Sequence, residues 1–221
     1  MNTPPISIEV TDVASTVRIA GKVIARGVTY EQFLAADYGQ AHVEWVNGVV
    51  IEMPSISERH DALVIFLRTL LNTFLELFLG GRTLGDPMLM RLPVVPSSRA
   101  PDIQVLLEDR LHQLHDNEVV GPANLVIEVV SPGNRRTDEI DKRREYELGG
   151  VDEYWILDFE RSRLTFLQLA ASGVYEEALP DAAGIYHSRA LQGLRLPVTL
   201  LWRDPLPTVM EIVAVVRGMR S

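Results

Sequence analysis

Hydrophobic positions change their period several times along this 221-residue chain. Leu63, Phe66, Leu67, Leu70, Leu71, Phe74 and Leu77 recur at three- and four-residue steps, the spacing of one helix face. Ser57 stands where that helix needs an N-cap and Gly80-Gly81 where it must end, so the pattern predicts a helix over 58–79. Asn124-Leu125-Val126-Ile127-Glu128-Val129-Val130 is instead a nearly unbroken apolar run, the mark of a strand covered on both faces. Residues 151–158 form a second such strand, with Arg163–Leu169 expected to pair with it as a hairpin. Between the two runs, residues 137–148 are charged and amphipathic and stop at Gly149-Gly150, so this strand, helix and strand form a candidate right-handed crossover.

Earlier in the chain, Asn47-Gly48 is a strong two-residue turn signal between β-branched flanks, and residues 44–53 read as a hairpin. Thr29 followed by Gln32 makes a capping box for a short helix. Strands are expected near 84–92 and 101–107, joined by a proline- and serine-rich turn (Pro93, Pro96, Ser97, Ser98), with a polar loop over 108–121. The tail holds turns at 181–184, a strand near 185–189, a Leu-rich piece and a final amphipathic helix over 207–218. Residues 1–26 read as an extension with short β-branched stretches, 27–200 as one domain, and 201–221 as a helical segment packed on it. The order gives an α/β fold: a central mixed β-sheet flanked by helices.

Composition narrows the function classes. With 47% hydrophobic and 23% charged residues the chain has the makings of a folded core rather than a disordered segment. No cysteine is present, which removes disulfides, thiol nucleophiles and cysteine-based metal sites and fits a cytoplasmic protein. Arg68, Asn72 and Glu76 interrupt the longest apolar run and the first residues lack the pattern of a signal peptide, so no membrane partner is expected. A net charge of -9 argues against coating nucleic acid by bulk charge. It leaves room for an enzyme that meets phosphate through a local basic rim or a metal ion.

Two acids sit where apolar residues belong. Asp102 opens a strand and Glu128 lies inside one. A carboxylate in a buried strand is costly unless a cation or hydrogen bonds compensate it, so Glu128 is a core ion-pair partner, lies on an exposed sheet end, or is part of a site. On adjacent strands the two acids would offer hard oxygens to Mg²⁺, with the Val129 carbonyl as a further donor. Asp138, Lys142 and Tyr146 share one face of the following helix. That face either points at the strand ends or is a solvated, salt-bridged surface. Glu44 begins the hairpin; His60, in the first turn of the long helix, is a site residue or a plain surface histidine.

This ordered set resembles the Uma-type family of restriction endonucleases, part of the PD-(D/E)XK nuclease superfamily. The residues that carry the likeness are Glu44, Asn47-Gly48, His60, Pro101-Asp102, Glu128 through Pro132, Asp138, Lys142, Tyr146 and the stretch from Gly150 to Asp158. The resemblance implies a restriction-endonuclease-like fold and Mg²⁺- or Mn²⁺-dependent hydrolysis of DNA phosphodiesters. It implies catalytic roles for Asp102, Glu128, Lys142, Glu44 and His60, and metal contacts from Asp102, Glu128, Val129 and Glu44. The superfamily's lysine usually stands two residues after the acid; here that place is Val130, and the family pattern puts the amine on the next helix, at Lys142. Arg135, Arg136, Arg143 and Arg144 would rim the site or serve solubility alone. Two alternatives stay open: a nuclease-fold interaction module without activity, and a phosphodiesterase acting on RNA or small nucleotides. The apolar stripe of the last helix (Val209, Ile212, Val213, Val215, Val216) is either intrachain core or the interface of a homodimer.

Overall fold

Twelve strands divide equally between two sheets in this computed structural model, which describes residues 9–10, 17–18, 21–39, 41–131, 133 and 135–220. The described chain begins with a short antiparallel ribbon, β1 (Glu9–Val10) and β2 (Val17–Arg18). Of the extension expected over 1–26, residues 1–8, 11–16 and 19–20 lie outside the described residues. β3 (Lys22–Arg26) is already the edge of a sheet, paired with β5.

Helix α1 (Tyr30–Ala35) starts at the Thr29–Gln32 capping box. The hairpin of β4 (Val43–Val46) and β5 (Val49–Glu52) turns at Asn47 and Gly48, both at positive φ (46° and 78°), the backbone that an Asn-Gly pair supplies most cheaply. Ser57 accepts from the His60 amide and caps α2 (Glu58–Phe74), which continues as a π-helical turn to Leu79. These 22 residues are long and apolar enough to cross a membrane by composition. In this fold Leu63, Phe66, Leu67, Leu70, Leu71 and Phe74 are core.

The central sheet runs β14-β13-β12-β11-β9-β6, that is Tyr175–Ala178, Arg163–Leu169, Glu153–Asp158, Leu125–Val129, Ile103–Leu106 and Arg82–Leu84. Only β11 and β12 run parallel, and the helix between them is the predicted crossover: a π-helical stretch, Thr137–Lys142, leading into α3 (Arg143–Gly149). The second sheet runs β10-β7-β8-β4-β5-β3, where β7 is Leu89–Leu92, β8 Ser97–Arg99 and β10 Glu118–Val120. β15 (Ile185–His187) and β16 (Arg195–Pro197) form a hairpin, and α4 (Val209–Arg217) ends the fold.

Three local expectations change. Residues 84–92 belong to two strands in different sheets, separated by Gly85-Asp86-Pro87-Met88. The expected turn is confined to residues 93–96, and its serines belong to β8, because pairing with β4 and β7 satisfies their backbone and buries Ser97 and Ser98. The polar loop 108–121 contains a 3₁₀ turn, Glu108–Gln113, and the strand β10.

The central sheet is apolar on both faces. Ile103, Val105, Leu125, Ile127, Trp155 and Phe166 pack on α2 and on Ile212 and Val216 of α4. Leu106, Val126, Tyr154 and Ile156 face Met90 and Leu92 of the second sheet and Tyr146 of α3. Strand alternation therefore sends Glu128, with Val126, toward α3 and away from α2. Close packing holds α3 down: a Cβ on Gly149 would lie 2.5 Å from a Leu92 methyl.

Candidate active site

β9 and β11 are antiparallel neighbours with Ile103 opposite Ile127, so Asp102 and Glu128 fall opposite each other one step further on. A shared strand register thus brings together two acids 26 positions apart in sequence. Asp102 Oδ2 accepts from the Val129 amide at 2.7 Å and pairs with His60 Nε2 at 3.1 Å. Glu128 Oε1 accepts from Tyr146 Oη at 2.9 Å and from Lys142 Nζ at 2.9 Å. Lys142 also lies 3.4 Å from Asp138 and 3.6 Å from Glu44. Asp138, Lys142 and Tyr146 are all buried, so this helix face is the inner wall of the site and not a solvated surface. The π-helical stretch that carries the first two is held from below, where the Tyr154 hydroxyl donates to the Asp138 carbonyl at 2.9 Å.

Glu44 has a second cation. Arg99 Nη1 donates to its Oε2 at 2.8 Å, while the Ala100 amide donates to Oε1. The same guanidinium grips Glu145 with two bonds of 2.8 and 2.6 Å. Arg99, Glu44 and Lys142 are each no more than 3% exposed, so these charges meet with little water between them.

The ionisation states follow from that burial. Burial opposes charge on Lys142, but Glu128, Glu44 and Asp138 together hold its pKa well above the usual lysine range. It is an ammonium, not a base. Burial pushes Glu128 well up, Lys142 pulls it back, and the charges of Asp102 and Asp138 push it up further. Asp138 is raised to about 6, first by burial. Glu44 moves the other way: Lys142 and Arg99 overcome its burial and lower it. Burial would depress His60, but the hydrogen bond and charge of Asp102 reverse this and raise it.

Glu44, Asp102, Glu128, Asp138 and Glu145 outnumber the two permanent cations, Lys142 and Arg99. A divalent ion would relieve that excess. Among the described residues no three His, Asp or Glu side chains group as ligands for one ion. Mg²⁺ does not need three: it commonly takes one or two carboxylates and fills its octahedron with waters and substrate phosphate. Asp102, Glu128 and Val129 all line one cavity of about 50 Å³, also bordered by His60 and Lys142. Among the described residues Asp102 Oδ1 and Glu128 Oε2 make no hydrogen bond. The donor set, hard and anionic, fits such an ion.

A family model described as "Uma2: Putative restriction endonuclease" matches residues 29–199. The chain belongs to the Uma2 family. A solved structure described as a putative nuclease belonging to DUF820, from Anabaena variabilis ATCC 29413, is similar in fold, with a TM-score of 0.64 and 15% identity. The match covers 86% of this chain and 99% of that one. No curated protein matches the sequence.

In this Uma2 chain the five catalytic residues expected from sequence, Asp102, Glu128, Lys142, Glu44 and His60, lie around one buried cluster, with Val129 beside it. Arg135 is paired with Asp158 and Glu160, while Arg136, Arg143 and Arg144 are exposed along the helix. Three residues that sequence reasoning passed over complete the picture. Arg99 lies in a stretch that reads as a turn, and its Glu145 partner reads as one more charge on a charged helix. Asp86, 2.6 Å from His42, also borders the cavity. The signal for Arg99 was its place two residues before Pro101-Asp102, next to the one segment where acids interrupt apolar strands.

Proposed function

We propose that this protein is a divalent-metal-dependent endonuclease that hydrolyses DNA phosphodiester bonds. The observation that carries the reading is the contact of the Lys142 ammonium with Glu128, 2.9 Å, in an acid-rich cavity shared with Asp102. Asp102, Glu128 and the Val129 carbonyl would hold Mg²⁺ or Mn²⁺, which when bound polarises a phosphodiester and acidifies a water. Lys142, kept protonated by its three carboxylates, supplies positive charge where the phosphate becomes more negative. Glu44 and Asp138 position that ammonium. Arg99 in turn holds Glu44. His60 and the Val129 amide fix Asp102 through one oxygen and leave the other for an ion. The exposed Arg136, Arg143 and Arg144 offer a local basic edge to a duplex despite the acidic total charge.

The experiment is Mg²⁺-dependent nicking of supercoiled plasmid by the wild type and by Glu128→Ala and Lys142→Ala. Each variant is expected to lose at least a hundredfold in rate, the usual scale for removing a charge that stabilises a transition state. Activity that survives both changes removes this cavity from the chemistry.

A further inference from the structure

The turns β4–β5 and β7–β8 come together beside the outer face of α3 and leave a second cavity of about 230 Å³, which shares no lining residue with the first. The Asn47 amide donates to the Pro96 carbonyl at 2.7 Å and ties the two turns. Val46, Val94 and Leu148 give the cavity apolar walls. Two buried polar atoms there have no partner among the described residues, Ser97 Oγ and Asp141 Oδ2. Ser97 is 1% exposed. Along β8 it alternates with Ser98 and so shares the side of Arg99, whose guanidinium reaches Glu145 on α3. Its hydroxyl is therefore directed at the α3 side, where the cavity lies. Burial also raises the Asp141 carboxyl above its usual range.

Native interiors rarely leave such groups unpaired, and an unpaired acceptor and an unpaired hydroxyl on the lining of one cavity suit a ligand that presents both an N–H and a ring nitrogen. The volume exceeds the roughly 150 Å³ that encloses a benzene ring and falls short of the about 300–1,000 Å³ typical of drug-sized sites. We propose that this cavity binds an amino-bearing nucleobase, adenine or cytosine. The exocyclic amino group donates to Asp141, the adjacent ring nitrogen accepts from Ser97, and the ring lies against Val46, Val94 and Leu148. Arg144, on the rim, meets the attached phosphate. The base comes from a strand, turned out of its stack, or from a free nucleotide. The inference rests on the nucleic-acid reading above for the class of ligand, and not on cleavage. Glu145 borders this cavity and holds Arg99, so the site lies one ion pair from the Glu44–Lys142 cluster.

The test is calorimetric titration of the full chain, in EDTA, with the 5′-monophosphates of adenosine, cytidine, uridine and thymidine and with short single-stranded oligonucleotides of one base each. The adenine or cytosine nucleotide is expected to bind at least about tenfold tighter than the uracil and thymine nucleotides, and Ser97→Ala and Asp141→Ala to weaken that binding about tenfold each. Methyl resonances of Val94 and Leu148 should shift on titration. Tighter binding of the oligonucleotide than of its mononucleotide assigns the base to a strand; equal binding assigns it to a free nucleotide. Should Ser97→Ala fail to fold, the half-buried Asp141→Ala decides. No binding, equal binding of all four bases, or binding untouched by the variants overturns the proposal. Plasmid cleavage without base binding would overturn this inference alone, and base binding without cleavage would overturn the hydrolytic reading alone.

Discussion

Replacing Lys142 by methionine keeps its length and removes its charge. In the native protein that charge is 3% exposed and faces Glu128, Asp138 and Glu44 at 2.9, 3.4 and 3.6 Å. Removing one partner of a buried ion pair typically costs about 3–5 kcal/mol, because the other charge stays behind. Here the remaining acids have a way out, since Glu128 and Asp138 already lie above the usual carboxylate range. The variant should therefore take up one extra proton in its folded state over the neutral range. One proton corresponds to about 1.4 kcal/mol per pH unit, so the deficit should shrink by about 4 kcal/mol between pH 8 and pH 5. The sign follows from linkage. A carboxyl raised in the folded state binds a proton that the unfolded chain lacks, so stability falls as pH rises from the unfolded value through the folded one. Urea unfolding followed by tryptophan fluorescence at pH 5, 6.5 and 8 measures this directly. The expected result is a Lys142→Met deficit of about 3–5 kcal/mol at pH 8 that largely disappears at pH 5. A deficit below about 1 kcal/mol at pH 8, or one that grows toward acid, would refute the picture of Lys142 as the counter-ion of this cluster.

Arg99→Lys should lose most of what Arg99→Met loses, about 3 kcal/mol or more in chemical denaturation, because a compact ammonium lacks the planar fork that bonds Glu145 through two nitrogens while a third reaches Glu44; near-wild-type stability of the lysine variant would contradict this. At the C-terminal helix, Glu211 is lowered to about 2 by its bonds to the Thr208 cap and to Arg203. A lowered carboxylate contributes stability that is present above the unfolded value and lost as pH falls through about 2. Carboxyl NMR should place the Glu211 midpoint there, and a midpoint near 4 would mean that the capping box is not formed in solution.

Much of the skeleton was legible because the forces that set it are local. The Asn47-Gly48 turn, the Thr29 and Ser57 caps, the α2 stripe and the crossover from β11 to β12 each follow from a few adjacent residues. Asp102 and Glu128 stood out for the same reason: a charge in an apolar strand is conspicuous wherever the strand lies. β8 was not legible. Ser97, Ser98 and Arg99 have the composition of a turn and become a strand only because β4 and β7 supply partners on both sides.

The sequence by itself determined the alternation of strands and helices, the family, and the two acids that cannot sit in a core without compensation. Tertiary structure decided what compensates them. Lys142 reads equally well as a surface charge until the crossover helix packs on the sheet, and Arg99 acquires meaning only when Glu44 and Glu145 close on it from different elements. The physical reason is that desolvation is a property of position, not of residue type. The same ammonium that is an unremarkable charge in water becomes, once buried among carboxylates from β4, β11 and its own helix, the centre of the site.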